Sequence, residues 1–154
     1  LIIKMLLRTH LAFAFLMIIL FVKHVNNQWI FIIMVLAATV LPDLDTSFSS
    51  WGRHLIFRPL QLFVKHRGII HSLTIATLFS ILLAFFWPIA SLGFFVGYSV
   101  HIVLDSFTRE GVQPFWPLKT KSYGFISSVG RIEDRIFVFL VLVDVALIIL
   151  TFAF

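Results

Sequence analysis

The chain contains no cysteine. That absence excludes a disulfide framework, a thiolate nucleophile and a Cys-ligated zinc site, so any metal must rest on His and carboxylate. Charge is scarce as well: Asp, Glu, Lys and Arg make up 12% of the residues, against about 25% in a soluble domain. No internal repeat and no low-complexity tract is visible. Also missing is any module in which basic patches are interleaved with exposed aromatics, so nucleic-acid binding is not expected despite a pI near 10.1.

What is present is apolar. Of the 154 residues, 60% are hydrophobic and 19 are Phe, with a mean hydropathy of +1.06. A water-soluble fold of this size has too little interior to hide them, which makes lipid the expected solvent. Hydrophobic segments lie at 11–22, 29–42, 69–87, 89–107 and 136–154. A helix needs about 20 residues to cross the hydrocarbon. The third and fifth segments are comfortable spans and the fourth is adequate. The first reaches that length only from near Met5, with Arg8 and His10 in its opening turns, and the second is short. The expectation is an all-α polytopic membrane helical bundle of four to five transmembrane helices plus an interfacial segment, forming one transmembrane domain over residues 1–154. No small-residue cleavage site follows the first segment, so it reads as retained rather than as a signal peptide. The chain opens on Leu1 and its first Met is Met5, so the natural start is expected at Met5 or upstream of Leu1.

Basic residues set an orientation. Lys4 and Arg8 precede the first segment, Arg53, Arg58, Lys65 and Arg67 follow the second, and Arg109, Lys119, Lys121, Arg131 and Arg135 lie between the fourth and fifth; only Lys23 falls on the other side. By the positive-inside rule the N-terminus and both long loops are expected in the cytoplasm. Residues 46–66 alternate apolar and basic groups, as in Trp51-Gly52-Arg53-His54-Leu55, which suits a segment lying in the interface. Residues 108–130 carry Gly111, Pro114, Pro117, Gly124 and Gly130 and read as an irregular loop, with Trp116 and Tyr123 anchoring it at headgroup level.

On this topology His10, Asp43, Asp45, His66, His71, His101 and Asp105 all fall at the cytoplasmic level. The positive-inside rule does not act on His or Asp, and ionisable groups beside a span are costly unless they pair or serve a site. His101 and Asp105 are four apart, so a helix stacks them on one face, where they reach one metal or simply pair. Pro42 tends to push Leu41 out of helical geometry, placing Asp43 and Asp45 on a turn where one binds metal and the other orients water. Gly68 permits a sharp approach ahead of His71, and Arg67 offers a fork of donors for a phosphate or carboxylate. Each piece also has a plain reading: His10 as an interhelical hydrogen bond, the two Asp as a helix-ending loop, Arg67 as a topology charge. His24 and His54 read as bystanders and Asp144 as a helix-packing residue. Glu133 and Asp134 fit either support of the site or the acidic bias of a helix N-terminus. Imidazole and carboxylate together suit zinc or, second, manganese. Such an ion makes hydroxide available near neutral pH, and hydrolysis is its natural use.

Together Thr9-His10, Leu41-Pro42-Asp43-Leu44-Asp45, His66-Arg67-Gly68-Ile69-Ile70-His71-Ser72 and the run from His101 to Val112 resemble a bacterial and archaeal family of inner-membrane metal-dependent hydrolases, sometimes described as LexA-binding. The likeness covers about residues 8–118. It implies a helical fold in the prokaryotic inner membrane, with motif His and Asp as metal ligands, and carries no substrate. The Thr common before the second motif His is Ile70 here, which removes a hydroxyl but no ligand.

The leading expectation is a membrane-embedded hydrolase open to the cytoplasmic headgroup region and acting on a phosphoester or other ester of an amphipathic lipid. His10, His71, His101 and Asp105 bind a divalent metal with Asp43 or Asp45. The other carboxylate or His66 acts as general base, and Arg67 neutralises the substrate's anionic group. A metal or ion transporter is the alternative, though it calls for a midplane site and repeat symmetry; a regulatory membrane protein recruiting a soluble partner is the third. Membrane lipid is the expected surrounding partner, and oligomeric state is not legible.

Overall fold

Helix-starting and helix-stopping residues divide the apolar runs. The computed structural model describes residues 3–45, 54, 68–126 and 130–153. Among the described residues the α-helices are α1 (Ile3–Phe21), α2 (Gln28–Val40), α3 (Leu73–Phe86), α4 (Pro88–Ser106) and α5 (Arg131–Ala153). Asn27 caps α2 by accepting from the Ile30 amide at 3.1 Å, and Ser72 caps α3 by accepting from the Ile75 amide at 3.3 Å. Pro88 stands at the first turn of α4, where a missing N–H costs nothing. Because Ser72 is a cap, α3 begins later than the 69–87 segment implied and spans 14 residues. It is therefore about 21 Å long, short of the roughly 30 Å hydrocarbon core.

Pro42 acts differently from the sequence expectation. Leu41 keeps helical torsions, φ −55° and ψ −44°, and donates its amide to the Ala37 carbonyl. The chain then tightens into a 3₁₀ turn, Leu41–Asp45. The proline's steric bias is met by this narrower winding rather than by extending Leu41, so the turn prolongs α2 and buries Asp43 and Asp45 at its tip.

The expected all-helical bundle is thus present, with only isolated bridges, Thr108 to Ile126 and Val112 to Ser122, among the described residues. Three described stretches are long and apolar enough to cross a membrane: Leu7–His24, Gln28–Asp45 and Pro88–Ser106. Large apolar side chains face outward, among them Trp29, Ile33, Phe79, Phe85, Phe86 and Leu142, the reverse of what water would tolerate as a continuous surface. The predicted interfacial segment 46–66, apart from exposed His54, lies outside the described residues, as do His66 and Arg67.

Helix α4 is the hub, packing on α2, α3 and α1. Gly93 and Gly97 let α2 approach closely: a Cβ built at Gly97 would lie 2.2 Å from the Val35 carbonyl oxygen, and one at Gly93 would lie 2.9 Å from that of Phe31. The Thr39 hydroxyl completes the seam by donating to the carbonyls of Val35 (2.8 Å) and Gly97 (3.1 Å). Since Phe31 meets Gly93 and Val35 meets Gly97, α2 and α4 run parallel and end at the same level. Helices α1 and α5 also begin together, joined by Arg8 and Thr9 bonding to Glu133, and by Arg8 bonding to Asp134. The loop before α3 is held to the hub by the Tyr98 hydroxyl, which donates to the Ile70 carbonyl at 2.7 Å.

Candidate metal centre

Four separate segments deliver ionisable side chains to one end of this bundle. His10 comes from the early turns of α1, Asp43 and Asp45 from the 3₁₀ turn, His71 from the bend before the Ser72 cap, and His101 with Asp105 from the last turns of α4. All six are buried, His71 and His101 completely. The helix directions explain the convergence. Parallel α2 and α4 finish at the end where α1 and the chain entering α3 begin.

Asp105 lies at the centre. Its Oδ1 is 3.5 Å from His10 Nε2, and its Oδ2 is 3.7 Å from the Nε2 atoms of both His71 and His101. Asp43 approaches from one side, Oδ1 3.7 Å from His101 Nε2. The imidazoles stand close, with ring centroids 4.3 Å apart for His10 and His101 and 5.4 Å for His71 and His101. Two overlapping triads can each present ligand atoms within 4.8 Å of one another: His10 with His101 and Asp105, and Asp43 with His71 and His101.

These separations are informative. A direct charge-assisted hydrogen bond closes to about 2.7–2.9 Å. Atoms held tetrahedrally at about 2.0–2.1 Å from a zinc ion stand roughly 3.4 Å from each other. The Nε2-to-carboxylate gaps match the second spacing better than the first. The donor set fits a cation by its chemistry too, because three carboxylates gathered in an apolar interior are a costly arrangement without a compensating partner.

The outer nitrogen of the His101 ring is also occupied as a metal-binding histidine requires. His101 Nδ1 lies 2.7 Å from the Thr39 carbonyl oxygen. A carbonyl only accepts, so Nδ1 carries the proton and Nε2 presents its lone pair to the cluster. Among the described residues that fully buried Nε2 makes no hydrogen bond. His71 Nδ1 approaches the Asp45 carboxylate, 3.1 Å from Oδ2, without the hydrogen-bond geometry seen at His101, while its Nε2 faces Asp105. The two aspartates of the turn, interchangeable in the sequence, are therefore distinguished by position. Asp43 reaches His101 at the centre, whereas Asp45 stands behind His71.

Of the residues singled out in the sequence, His10, Asp43, Asp45, His71, His101 and Asp105 are brought together. His66 and Arg67 lie outside the described residues. His24 and His54 are exposed. Asp144 is buried within α5, and its Oδ1 makes no hydrogen bond among the described residues. One support was not anticipated, the Thr39 carbonyl, whose only sequence trace is a lone polar residue in an apolar run, while the Thr9–Glu133 contact immediately beside His10 bears on a role the sequence had left open. Glu133 is 1% exposed, so of its two readings the structure favours the one that ties it to the site's own helix.

Comparison with known proteins finds relatives in the bacterial inner membrane. The inner membrane protein YdjM of Escherichia coli K12 and its counterpart in Shigella flexneri are each 32% identical to the chain over an alignment 105 positions long that covers 61% of this chain. The matched stretch spans about half of each relative, 53% of its length. No solved structure matches. A family model described as YdjM inner membrane protein matches residues 5–153, nearly the whole chain: the chain belongs to the YdjM inner membrane protein family.

Proposed function

We propose that this protein is a metal-dependent hydrolase whose buried centre lies at the cytoplasmic interface of the membrane and cleaves a phosphoester or other ester of an amphipathic lipid. The observation that carries the reading is the His101 side chain. One nitrogen is committed to the Thr39 carbonyl, and the other is buried without a hydrogen bond among the described residues, facing Asp43 and Asp105 at 3.7 Å. The residues that would hold a divalent ion, zinc first and manganese second, are His10, His71, His101 and Asp105, with Asp43 beside them. When bound, such an ion supplies Lewis acidity to the ester and lowers the pKa of water toward about 7.

The chain's own residues then divide the remaining work. Asp45 holds the His71 ring and Thr39 the His101 ring, so that both Nε2 atoms stay aimed at the centre. Asp43 has the most accessible carboxylate of the three, its side chain 13% exposed against 2% for Asp105 and none for Asp45. It is the group that takes the proton of the attacking water and returns it to the leaving alcohol oxygen as the ester bond breaks. His66 is the other base the motif offers, and Arg67 carries the charge that neutralises the anionic headgroup. The cytoplasmic placement follows from the excess of Lys and Arg in the loops at the cluster's end of the helices.

Metal analysis of detergent-purified protein tests this directly. About one or two equivalents of zinc or manganese are expected in the native chain and none in a His71→Ala, His101→Ala double variant, with turnover of phospholipids or isoprenoid phosphates following the metal. Native protein that stays metal-free after reconstitution ends the hydrolase reading.

A further inference from the structure

Beside the cluster lies an apolar groove of about 510 Å³ between α1 and α2, within the roughly 300–1,000 Å³ of small-molecule sites. Leu11 and Phe15 of α1 form one wall, Ala37 and Val40 of α2 the other, and Leu41 and Leu44 close the end nearest the metal centre. The groove lies level with that centre along α1 and α2. Leu11 follows His10, and Leu41 and Leu44 bracket Pro42 and Asp43. Its walls are wholly apolar among the described residues, whereas the cluster at its end is wholly ionisable. An amphiphile has the same division, with one polar end and a hydrocarbon tail.

We infer that the groove holds the hydrocarbon chain of the substrate, so that the protein selects a single-chain anionic ester whose headgroup enters the His and Asp cluster while its tail lies along α1 and α2. This rests on the hydrolase reading for what happens at the headgroup, but the binding geometry is separately measurable. Phe15 and Leu41 are 47% and 38% exposed, which leaves the groove open sideways among the described residues. A tail can therefore slide in from the bilayer without leaving hydrocarbon, and only the headgroup changes surroundings. The usual transfer gain of burying methylenes is then small, and selectivity comes from shape, meaning which chain lengths set the ester at the centre. Ala37 is the position that keeps the groove wide. Its side chain is exposed into the groove rather than packed in the core, so a larger residue there fills the space without displacing α2.

The test uses the chain in phosphatidylcholine vesicles and octyl phosphate carrying a diazirine at the end of its tail, whose extended reach of about 10 Å matches the rise from His10 to Phe15 and from Asp43 to Ala37. Irradiation and peptide mapping should place adducts on Phe15, Ala37 or Val40, and Ala37→Trp should cut them by about tenfold with its metal content unchanged. Adducts spread evenly over outward residues such as Leu78, Phe85 and Leu142, or undiminished in Ala37→Trp, would overturn the inference. Turnover is followed in parallel with a water-soluble short-chain phosphodiester and with long-chain esters. Short-chain turnover that survives while labelling misses the groove removes the groove and keeps the hydrolase. Labelling in the groove without turnover of any ester keeps the groove and removes the hydrolase. An Ala37→Trp variant that loses short-chain and long-chain turnover equally, metal intact, also counts against the groove.

Discussion

Replacing Gly97 by alanine is expected to weaken metal binding, although Gly97 touches none of the candidate ligands. The added Cβ would stand 2.2 Å from the Val35 carbonyl oxygen and 2.9 Å from Val35 Cα. Both are backbone atoms of α2, which cannot rotate aside. Ordinary contact begins near 3.4 Å, so the two helices must part by about 1 Å along this seam. One turn further on, the same seam carries the hydrogen bond from His101 Nδ1 to the Thr39 carbonyl, 2.7 Å long. Opening by that amount takes it past about 3.5 Å, where it ceases to orient the ring. Loss of such an outer partner costs about 10–100-fold in metal affinity. Alanine favours helix over glycine by about 0.5–1 kcal/mol, but overpacking a close contact costs about 1–3 kcal/mol, so the net effect on stability is unfavourable. The assay is zinc competition against a chromogenic chelator in detergent, paired with thermal unfolding and with Leu92→Ala on the exposed face of α4 as control. A Gly97→Ala protein with native zinc affinity and an unchanged unfolding midpoint refutes the reasoning that the seam sets the site.

Further outcomes separate the roles of the carboxylates and the supports. Asp105→Asn keeps the shape of the central residue but removes the charge facing three imidazoles, and zinc affinity measured by the same competition should fall by more than about a hundredfold. Asp45→Asn, which only alters the partner of His71 Nδ1, should cost about 10–100-fold instead; equal losses in the two variants would contradict the separation of centre and support. Zinc at a hundred times its dissociation constant should raise unfolding stability by about 2.7 kcal/mol, reversibly with chelator, and an unfolding midpoint indifferent to both would count against a site formed only in the folded state. Glu133→Gln removes the charge that Arg8 meets at 2.9 Å beside His10, so the unfolding midpoint should drop and zinc affinity should weaken with it, whereas Ile132→Ala on the exposed side of α5 should do neither.

Much of this protein was legible before any fold was known, because lipid enforces simple rules. Where water is absent, backbone groups must be satisfied within helices, so hydropathy alone leads to the helical bundle. Asn27 and Ser72 cap their helices by side-chain oxygens that accept from nearby backbone amides, and Pro88 by its fixed φ; these local signals set the helix starts, but the hydropathy pattern alone missed the Ser72 cap and began the third segment at residue 69. The grouping of His10, Asp43, Asp45, His71, His101 and Asp105 at one end was likewise readable, since alternating spans carry the N-terminal end of one helix and the C-terminal end of the next to the same level. Order along the chain therefore decides which end of the bundle each residue occupies.

Order along the chain does not decide distances or directions across the bundle. Asp43 and Asp45 are separated by one residue and chemically identical, and only the winding of the 3₁₀ turn after Pro42 sends one toward His101 and the other behind His71. The Thr39 carbonyl became a partner of His101 because Gly93 and Gly97 let α2 lie close against α4, a relation between helices that no local signal records. Glu133, far along the chain, reaches the residues beside His10 because α5 starts level with α1. Polarity and periodicity act within a segment and so are written in the sequence. Which nitrogen faces inward, and which carbonyl holds it there, depends on how segments distant in the chain pack, and only the tertiary structure decides that.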